Sequence, residues 1–206
     1  MWGGAFRDVW IGRIRLGSIL AIAAFAAACG GAVPTPTAPT ASAPTDITAP
    51  APIPAAPCTI GFEGLAVNGA PFGTHVACGL TLTAGGADWR ASTTYGVPAP
   101  FIQFIVPAGS TVTGDVTVAS AHGTFSFLSV DLYSSTTKIP YEMKGEAGGA
   151  VVFSMQGVVG NTFGNFATVS NPHGATAVET LRIRLTNPAA PCCGNPVGLD
   201  NIRVMR

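Results

Sequence analysis

Residues 124–133 read TFSFLSVDLY, the segment whose pattern is most typical of one kind of secondary structure. In an extended strand successive side chains point to opposite faces, so Phe125 and Phe127 share one face. Leu128 and Val130 fall on the opposite face. Such a change of phase predicts a β-bulge, or a strand that is buried on both faces. The stretch carries no helical stripe of apolar residues, and it therefore indicates a β-strand.

The sequence on either side repeats the same kind of segment. Short apolar stretches are separated by clusters of Gly, Pro, Asn and Ser at roughly the 8–12-residue spacing that is typical of a β-sandwich. Leu181 and Ile183 share one face while Arg182 and Arg184 take the other, which is the alternation of a half-buried strand. We therefore predict an all-β domain without helices. Its strands are expected at 59–62, 80–83, 101–106, 111–119, 124–133, 139–144, 150–159, 165–169, 178–185 and 199–204.

Four segments, taken in order, resemble the galactose-binding-like jelly-roll domains of bacterial surface proteins, among them those with PEP-CTERM sorting tails, and of carbohydrate-binding modules. The resemblance covers most of residues 59–206 and lies in the order of the segments. It implies a jelly-roll β-sandwich that acts as a binding module. The segments are FSFLSVDLYSSTTKIPYEMKG (125–145), VVFSMQG (151–157), NFATVSNP (165–172) and GLDNIRV (198–204).

The first thirty residues have the pattern of an export signal. Arg7, Arg13 and Arg15 precede an apolar run, 16–28, which closes on three alanines followed by Cys29. The run is shorter than the roughly 20 residues of a membrane-spanning helix, and a basic start with a small-residue exit is typical of a cleaved signal. It resembles a bacterial lipoprotein signal, in which cleavage precedes the cysteine and the thiol carries a lipid. An ordinary signal peptide cut nearby is the alternative.

The chain is thus expected to have three parts. Residues 1–28 form the signal, residues 29–57 the lipidated cysteine with a disordered linker, and residues 58–206 the folded domain. The linker is rich in Pro, Ala and Thr and has no aromatic residue, so it cannot bury enough surface to fold and should act as a semi-stiff spacer. Gly30 stands where an inner-membrane retention signal typically has Asp, so in a double-membraned host the outer membrane is expected.

Charge and size exclude some partners. Removal of the signal takes away three arginines and Asp8, which leaves 7 basic and 9 acidic side chains. This balance argues against nucleic acid and against a polybasic membrane surface, since both need a cluster of positive charge. A domain of residues 58–206 is large enough to bury its own core, so we expect a monomer.

Four cysteines fall in the domain: Cys58, Cys78, Cys192 and Cys193. In an exported chain an even set indicates disulfides, and four cysteines allow three pairings. The adjacent Cys192 and Cys193 either pair with the other two or form a vicinal bond. Zinc is disfavoured because there is no CxxC motif and no histidine near either pair.

The resemblance also implies a calcium site. In many jelly-roll carbohydrate-binding modules a Glu near the first strand and an Asp on the last strand share one calcium ion. Glu63 and Asp200 stand at the corresponding places here. Mixed carboxylate and carbonyl oxygens suit calcium, which would be structural. The alternative is that both are turn carboxylates that accept bonds from backbone amides, and Asp131 is a weaker candidate ligand.

A second candidate site is an aromatic platform for sugar. Sugars stack their apolar C–H faces on flat rings, so a sugar site needs an exposed aromatic side chain beside hydrogen-bonding groups. Trp89 is the only tryptophan beyond the signal, with Asp88 and Arg90 beside it and Tyr95 close in sequence. We predict these four as ligand-binding residues. The alternative is a tryptophan that covers one end of the core.

The sequence gives little support for catalysis. His75, His122 and His173 stand apart, and neither GxSxG nor HExxH is present. We therefore expect no enzyme. Two functions remain: a lipid-anchored envelope module that binds glycans, and a structural or adhesive surface protein that engages other proteins. An exposed Trp89 would favour the first, and a buried Trp89 the second.

Overall fold

The predicted strands assemble into two antiparallel sheets. The computed structural model describes residues 56–189 and 193–206, and nothing helical in that part of the chain is long and apolar enough to span a membrane. Its strands are β1 (Pro57–Ile60), β2 (Thr74–Ala77), β3 (Leu80–Gly85), β4 (Arg90–Ser92), β5 (Phe101–Val106), β6 (Val112–Ser120), β7 (Phe125–Ser134), β8 (Ile139–Ala147), β9 (Ala150–Val159), β10 (Ala167–Ser170), β11 (Ala177–Val178), β12 (Thr180–Asn187) and β13 (Asn195–Met205).

The strand order confirms the jelly-roll β-sandwich. The seven-stranded sheet runs β10-β7-β13-β5-β4, with β1 paired to β13 and β11 paired to β7. The six-stranded sheet runs β2-β3-β6-β12-β8-β9. The chain crosses repeatedly from one sheet to the other, as β5, β6, β7 and β8 do in succession. This alternation is the topology of a jelly roll.

The core lies between the sheets and follows the alternation of the sequence. Leu181 and Ile183 of β12 are fully buried, whereas Arg182 and Arg184 point outward and both bond Asp115 of the neighbouring β6. Each fully buried Leu, Ile or Phe contributes roughly 1.5–3 kcal/mol relative to an exposed one. Burial of the apolar face, and not intrinsic propensity, therefore fixes which face of each strand turns inward.

The change of phase in the central strand is a bulge, as predicted. Phe127 and Val130 both point into the core although they are three positions apart, an odd spacing that a regular strand would send to opposite faces. The pairing of β7 with β13 shifts register twice, between Asp200 and Arg203 and again between Arg203 and Val204. Asn201, in the first shift, adopts a positive φ of 49°. Bulges often redirect side chains beside functional sites, and this one lies at the candidate site described below.

One predicted disulfide is present. Cys58 of β1 bonds Cys78, which follows β2, across a sequence separation of 20 residues. Closing a loop of that length contributes about 3 kcal/mol in the chain-entropy account. The bond rules out the pairings of these two with Cys192 or Cys193. Cys192 lies outside the described residues, so the state of the adjacent pair stays a prediction.

Each predicted strand overlaps an observed one; the bounds of β5 and β9 match to the residue, and the others differ by one to four residues at one or both ends. The prediction missed β2 and β4, which have only four and three residues. The predicted signal, the lipidated Cys29 and nearly all of the linker fall within residues 1–55, outside the described residues.

Candidate functional site

Two acidic residues lie side by side on the outer face of the seven-stranded sheet. Asp131 of β7 is the register partner of Asp200 of β13, and both side chains are almost completely buried. Buried carboxylates are rare unless they are paired or bind a cation. The two residues differ sharply in how their oxygens are satisfied.

Asp131 has a full set of donors. Thr168 Oγ1 donates to its Oδ1 at 2.6 Å, and Asn201 Nδ2 donates to its Oδ2 at 3.0 Å. Both terminal nitrogens of Arg203 also donate to it at 3.2 Å. Burial alone would raise the pKa of the Asp131 carboxyl, but these hydrogen bonds and the Arg203 charge bring its pKa below the ordinary value. Asp131 is therefore a structural anion and not a free ligand.

Asp200 lacks such partners. Its Oδ1 has no hydrogen-bond partner among the residues that the structure describes. Burial raises the pKa of the Asp200 carboxyl to about 6, although a hydrogen bond from the backbone amide of Asn201 lowers this pKa. The charges of Glu63 and Asp131 raise this pKa as well. An oxygen that is buried and unpaired in this way calls for a cation or a proton.

Glu63 reaches the same place from the other end of the domain. Strand β1 pairs with β13 as far as Ile60 opposite Ile202, so the chain leaves β1 beside Asn201. The Glu63 carboxylate folds back over Gly61, and its oxygens lie 2.5 and 2.6 Å from the position that a Cβ on Gly61 would take. A Cβ on Gly61 would displace the end of the Glu63 side chain, whose charge acts on the Asp200 carboxyl.

The donor set fits a hard cation with few carboxylates. Within 56–189 and 193–206 there is no group of three or more His, Cys, Asp or Glu side chains that could hold a metal ion. An ion at Asp200 and Glu63 would therefore take its remaining ligands from carbonyl, amide or water oxygens, as calcium does. The unpaired Oδ1 of Asp200 supplies the observation that favours such an ion.

An aromatic cluster lies on the same face of the sheet. The rings of Phe101, Tyr133 and Phe166 meet at centroid distances of 5.1 to 5.5 Å. Gly198 of β13 lies beneath them, and a Cβ there would come within 2.9 Å of the Phe101 ring. Tyr95 packs against Phe101 at 6.0 Å and its hydroxyl bonds Gln103. Through Phe101 the cluster joins the β4–β5 loop, which carries Tyr95, to the β9–β10 loop, which carries Phe166.

The prediction of Trp89 as a sugar platform is wrong. Its side chain is 2% exposed, its ring packs on Phe104 at 4.9 Å, and its Nε1 donates to the Gly85 carbonyl. The physical reason is the turn before β4: the Trp89 amide donates to the Ala87 carbonyl and the Trp89 carbonyl accepts from the Phe72 amide, and the ring turns into the core while Asp88 and Arg90 stay exposed. Trp89 covers one end of the core, as the alternative reading expected.

The other three predicted ligand-binding residues lie in two different places. Asp88 and Arg90 form an exposed ion pair at 2.8 Å, and Arg90 also donates to the Gly69 carbonyl. Without the ring of Trp89 beside them, they make no platform. Tyr95 is 36% exposed and lies in a different loop, between β4 and β5, on the aromatic cluster. Of the four, only Tyr95 remains a candidate.

Sequence reasoning missed Phe163, which is 82% exposed. It lies in the loop between β9 and β10 with a positive φ of 50°, a conformation that non-glycine residues adopt at a cost. The Asn161 side chain accepts a bond from the Phe163 amide and stabilises this turn. An aromatic ring between Asn-Thr and Gly-Asn in a loop was the available signal, because such rings seldom reach a core.

The two loops adjoin each other. The Val97 amide donates to the Gly164 carbonyl at 3.0 Å, and Val97 also forms a parallel bridge with Asn165. Tyr95 and Phe163 therefore lie in adjacent loops at one end of the sandwich. We call these two side chains the aromatic rim. Thr94 and Asn165 are exposed polar neighbours.

The comparisons with known proteins are limited to structure. No family model and no curated protein matches the chain. It is similar to the enzymatically active domain of tailspike protein 4 of bacteriophage CBA120, at 16% identity and a TM-score of 0.37, over 63% of this chain and 20% of that one. This chain thus spans about a fifth of that domain. It is also similar to TmCBM61, a carbohydrate-binding module in complex with beta-1,4-galactotriose, at 11% identity and a TM-score of 0.41, over 71% and 94% of the two chains. Likenesses at these scores do not identify a ligand.

Proposed function

We propose that this chain is a glycan-binding module of the bacterial cell envelope, which binds its ligand on the aromatic rim. The observation that carries the proposal is Phe163, an exposed aromatic ring held in a strained turn by Asn161. Exposed apolar side chains that lie together mark binding surfaces, and Phe163 adjoins the loop of Tyr95 and Val97, which are also exposed. Backbone strain kept at an exposed aromatic residue points to a binding role.

The chemistry of the rim suits a sugar. Phe163 offers a flat apolar surface, and the half-exposed Tyr95 adds a second ring whose orientation is fixed by Gln103 and Phe101. Thr94 and Asn165 are exposed beside these rings and can bond hydroxyl groups. A ligand with apolar C–H faces and hydroxyl edges would use both kinds of group.

The experiment that tests the proposal is an array of neutral oligosaccharides. The full-length chain in detergent is applied to β-linked gluco-, galacto- and manno-oligosaccharides, with calcium and with chelator. Binding to at least one series is expected. A chain shown to be folded that binds none of them in either condition would overturn the proposal.

We further propose that Asp200 and Glu63 hold a structural calcium ion. The ion would pair with the buried Oδ1 of Asp200 and tie the first strand region to the last. Saturation at 100 times the dissociation constant adds about 2.7 kcal/mol to stability. Calcium is thus expected to raise the melting temperature, and Asp200→Asn should abolish that rise.

The same carboxyl predicts a pH dependence in chelator. The folded pKa of Asp200 is about 6, above its ordinary value of 3.8. Between these pH values the unfolded chain ionises while the folded carboxyl stays protonated, so stability should fall as pH rises from about 4 to 6, by at most ~3 kcal/mol. In chelator Asp200→Asn should flatten this fall and melt higher than wild type at pH 7.5. Asp131→Asn, the control, should melt lower with or without calcium. If Asp200→Asn melts lower than wild type in chelator, Asp200 is not an unpaired buried charge.

Lipid anchoring at Cys29 is part of the proposal, with the outer membrane as its place in a double-membraned host. The support is the sequence of the first thirty residues. Cells expressing the full-length chain with labelled palmitate should yield labelled protein in the membrane fraction. Cys29→Ser should lose the label and leave that fraction. A Ser variant that stays with the membranes would show that another segment anchors the chain.

A specific observation keeps the adhesive alternative open. Trp89 is buried, which by the reasoning from sequence favours a protein that engages other proteins. Failure on the oligosaccharide array would leave this function as the better account of the fold.

A further inference from the structure

The outer strand of the six-stranded sheet is unlike the other sheet edges. Strand β9 has ten residues, whereas β2, β4 and β10 at the other ends have four, three and four. Its sequence, AVVFSMQGVV, contains no charge and no proline. Charges, prolines and short length are the usual means by which edge strands avoid pairing. This edge is protected only by one bulge.

The free side of β9 is available for hydrogen bonding. In the part of the chain that the structure describes, β8 is its one partner strand, and no further backbone bond reaches it. The pairing with β8 shifts register between Gly145 and Glu146, which makes Val152 the bulged residue. Regular strand geometry therefore extends from Phe153 to Val159.

The valines and polar residues of β9 are placed symmetrically about Met155, whereas Phe153 and Gly157 differ. Residues 151–159 read VVFSMQGVV, with two valines at each end and Ser154 and Gln156 on either side of the centre. In an antiparallel pair of identical strands centred on Met155, valine would face valine at both ends and Ser154 would face Gln156. Val158, 61% exposed, would face Val152, which is also exposed. No charged residues would be opposed, because β9 has none.

The inward rows are compatible with this register. Phe153 lies over Gly145, and Tyr141 lies over Gly157. Opposing Phe153 to Gly157 of the second copy would give a row in which rings and glycines alternate. Rings over glycines avoid the crowding that two opposed aromatic side chains would produce.

We infer that β9 pairs antiparallel with β9 of a second copy of this chain, centred on Met155. The pairing is regular over Phe153–Gly157 and is flanked by valines, and it joins two six-stranded sheets into one. It replaces the monomer expected from the size of the domain. The proline-rich segment at 31–57 is a poor alternative occupant, since proline cannot donate to a sheet. The interface is small, so the association is weak and concentration-dependent.

The test uses two double variants of the full-length chain, followed by sedimentation equilibrium in detergent from micromolar to millimolar concentration. In the proposed register Ser154 of one copy faces Gln156 of the other. S154E/Q156K would place opposite charges across the interface, and S154E/Q156E would place like charges there. Both variants share the S154E change, whose carboxylate lies opposite Lys144 of β8 in each case. Val76→Glu, on the exposed short edge β2, is the control for added charge.

Wild type, Val76→Glu and S154E/Q156K are expected to dimerise, and S154E/Q156E to dimerise at least tenfold more weakly. Equal association of the two double variants would overturn the register and with it the symmetric pair. Wild-type protein that stays monomeric up to about 1 mM would overturn the dimer. The free edge of β9 would then be a candidate for pairing with a strand of another protein. A Val76→Glu variant that dissociates as readily as S154E/Q156E would show that charge in general, and not β9, controls association.

Discussion

Gly198→Ala is expected to destabilise the domain by about 1–3 kcal/mol, and by more if the strands cannot separate. A Cβ on Gly198 would fall well under 3.0 Å from the backbone carbonyl oxygen of Ile102 and within 2.9 Å of the Phe101 ring. Backbone cannot move aside as a side chain does, and β13 is held between β5 and β7. Chemical denaturation of the full-length chain measures the change.

Gly85→Ala is the matched control for that prediction. Gly85 also lies in a strand, β3, but nothing lies within 4 Å of the position of its Cβ. Its substitution should change stability by no more than about 0.5 kcal/mol. If both variants lose the same stability, the close packing of the aromatic cluster over β13 is not what Gly198 serves.

Phe163→Ala is expected to weaken oligosaccharide binding about 30-fold or more, which corresponds to the loss of about 2 kcal/mol at a hot spot. Stability should change little, because the ring is 82% exposed and its truncation leaves no cavity. Titration calorimetry with the tightest-binding oligosaccharide of the array measures the loss. Phe163→Tyr keeps the flat ring and should retain binding within a few-fold.

Val67→Ala serves as the control for loss of an exposed apolar side chain elsewhere. Val67 is 66% exposed in the loop between β1 and β2. It should bind as wild type does. Unchanged affinity in Phe163→Ala would remove Phe163 from the site and leave the aromatic rim without its principal ring.

The sequence predicts the fold well because apolar alternation is a local property. The two-residue period fixed the faces of β12, and its interruption between Phe127 and Val130 predicted the bulge of β7. The short strands β2 and β4 were missed because neither carries a large buried apolar side chain: Val76 of β2 is 68% exposed, and β4 reads Arg-Ala-Ser. Their place depends on pairing with strands distant in sequence, which local pattern does not contain.

The candidate site is less predictable for two physical reasons. Exposure of an aromatic ring depends on which way its backbone turns, and Trp89 lies in the loop between β3 and β4, as predicted, but with its ring turned inward. Phe163 is exposed in a turn where its own φ is positive. The flanking residues Asn161 and Gly164 are compatible with such a turn but do not require it. Glu63 and Asp200 were predicted from a resemblance to known domains. That the Oδ1 of Asp200 is buried without a hydrogen-bond partner depends on the packing around β13, which the sequence does not show.

The most direct test of glycan binding on the aromatic rim is a nuclear magnetic resonance titration. The isotope-labelled full-length chain in detergent is titrated with the tightest-binding oligosaccharide from the array. We expect chemical-shift changes concentrated at Tyr95, Val97 and Phe163, with Trp89 and strand β9 unaffected. Changes centred on the Asp88–Arg90 segment or on another face of the sandwich, with the rim unmoved, would contradict it.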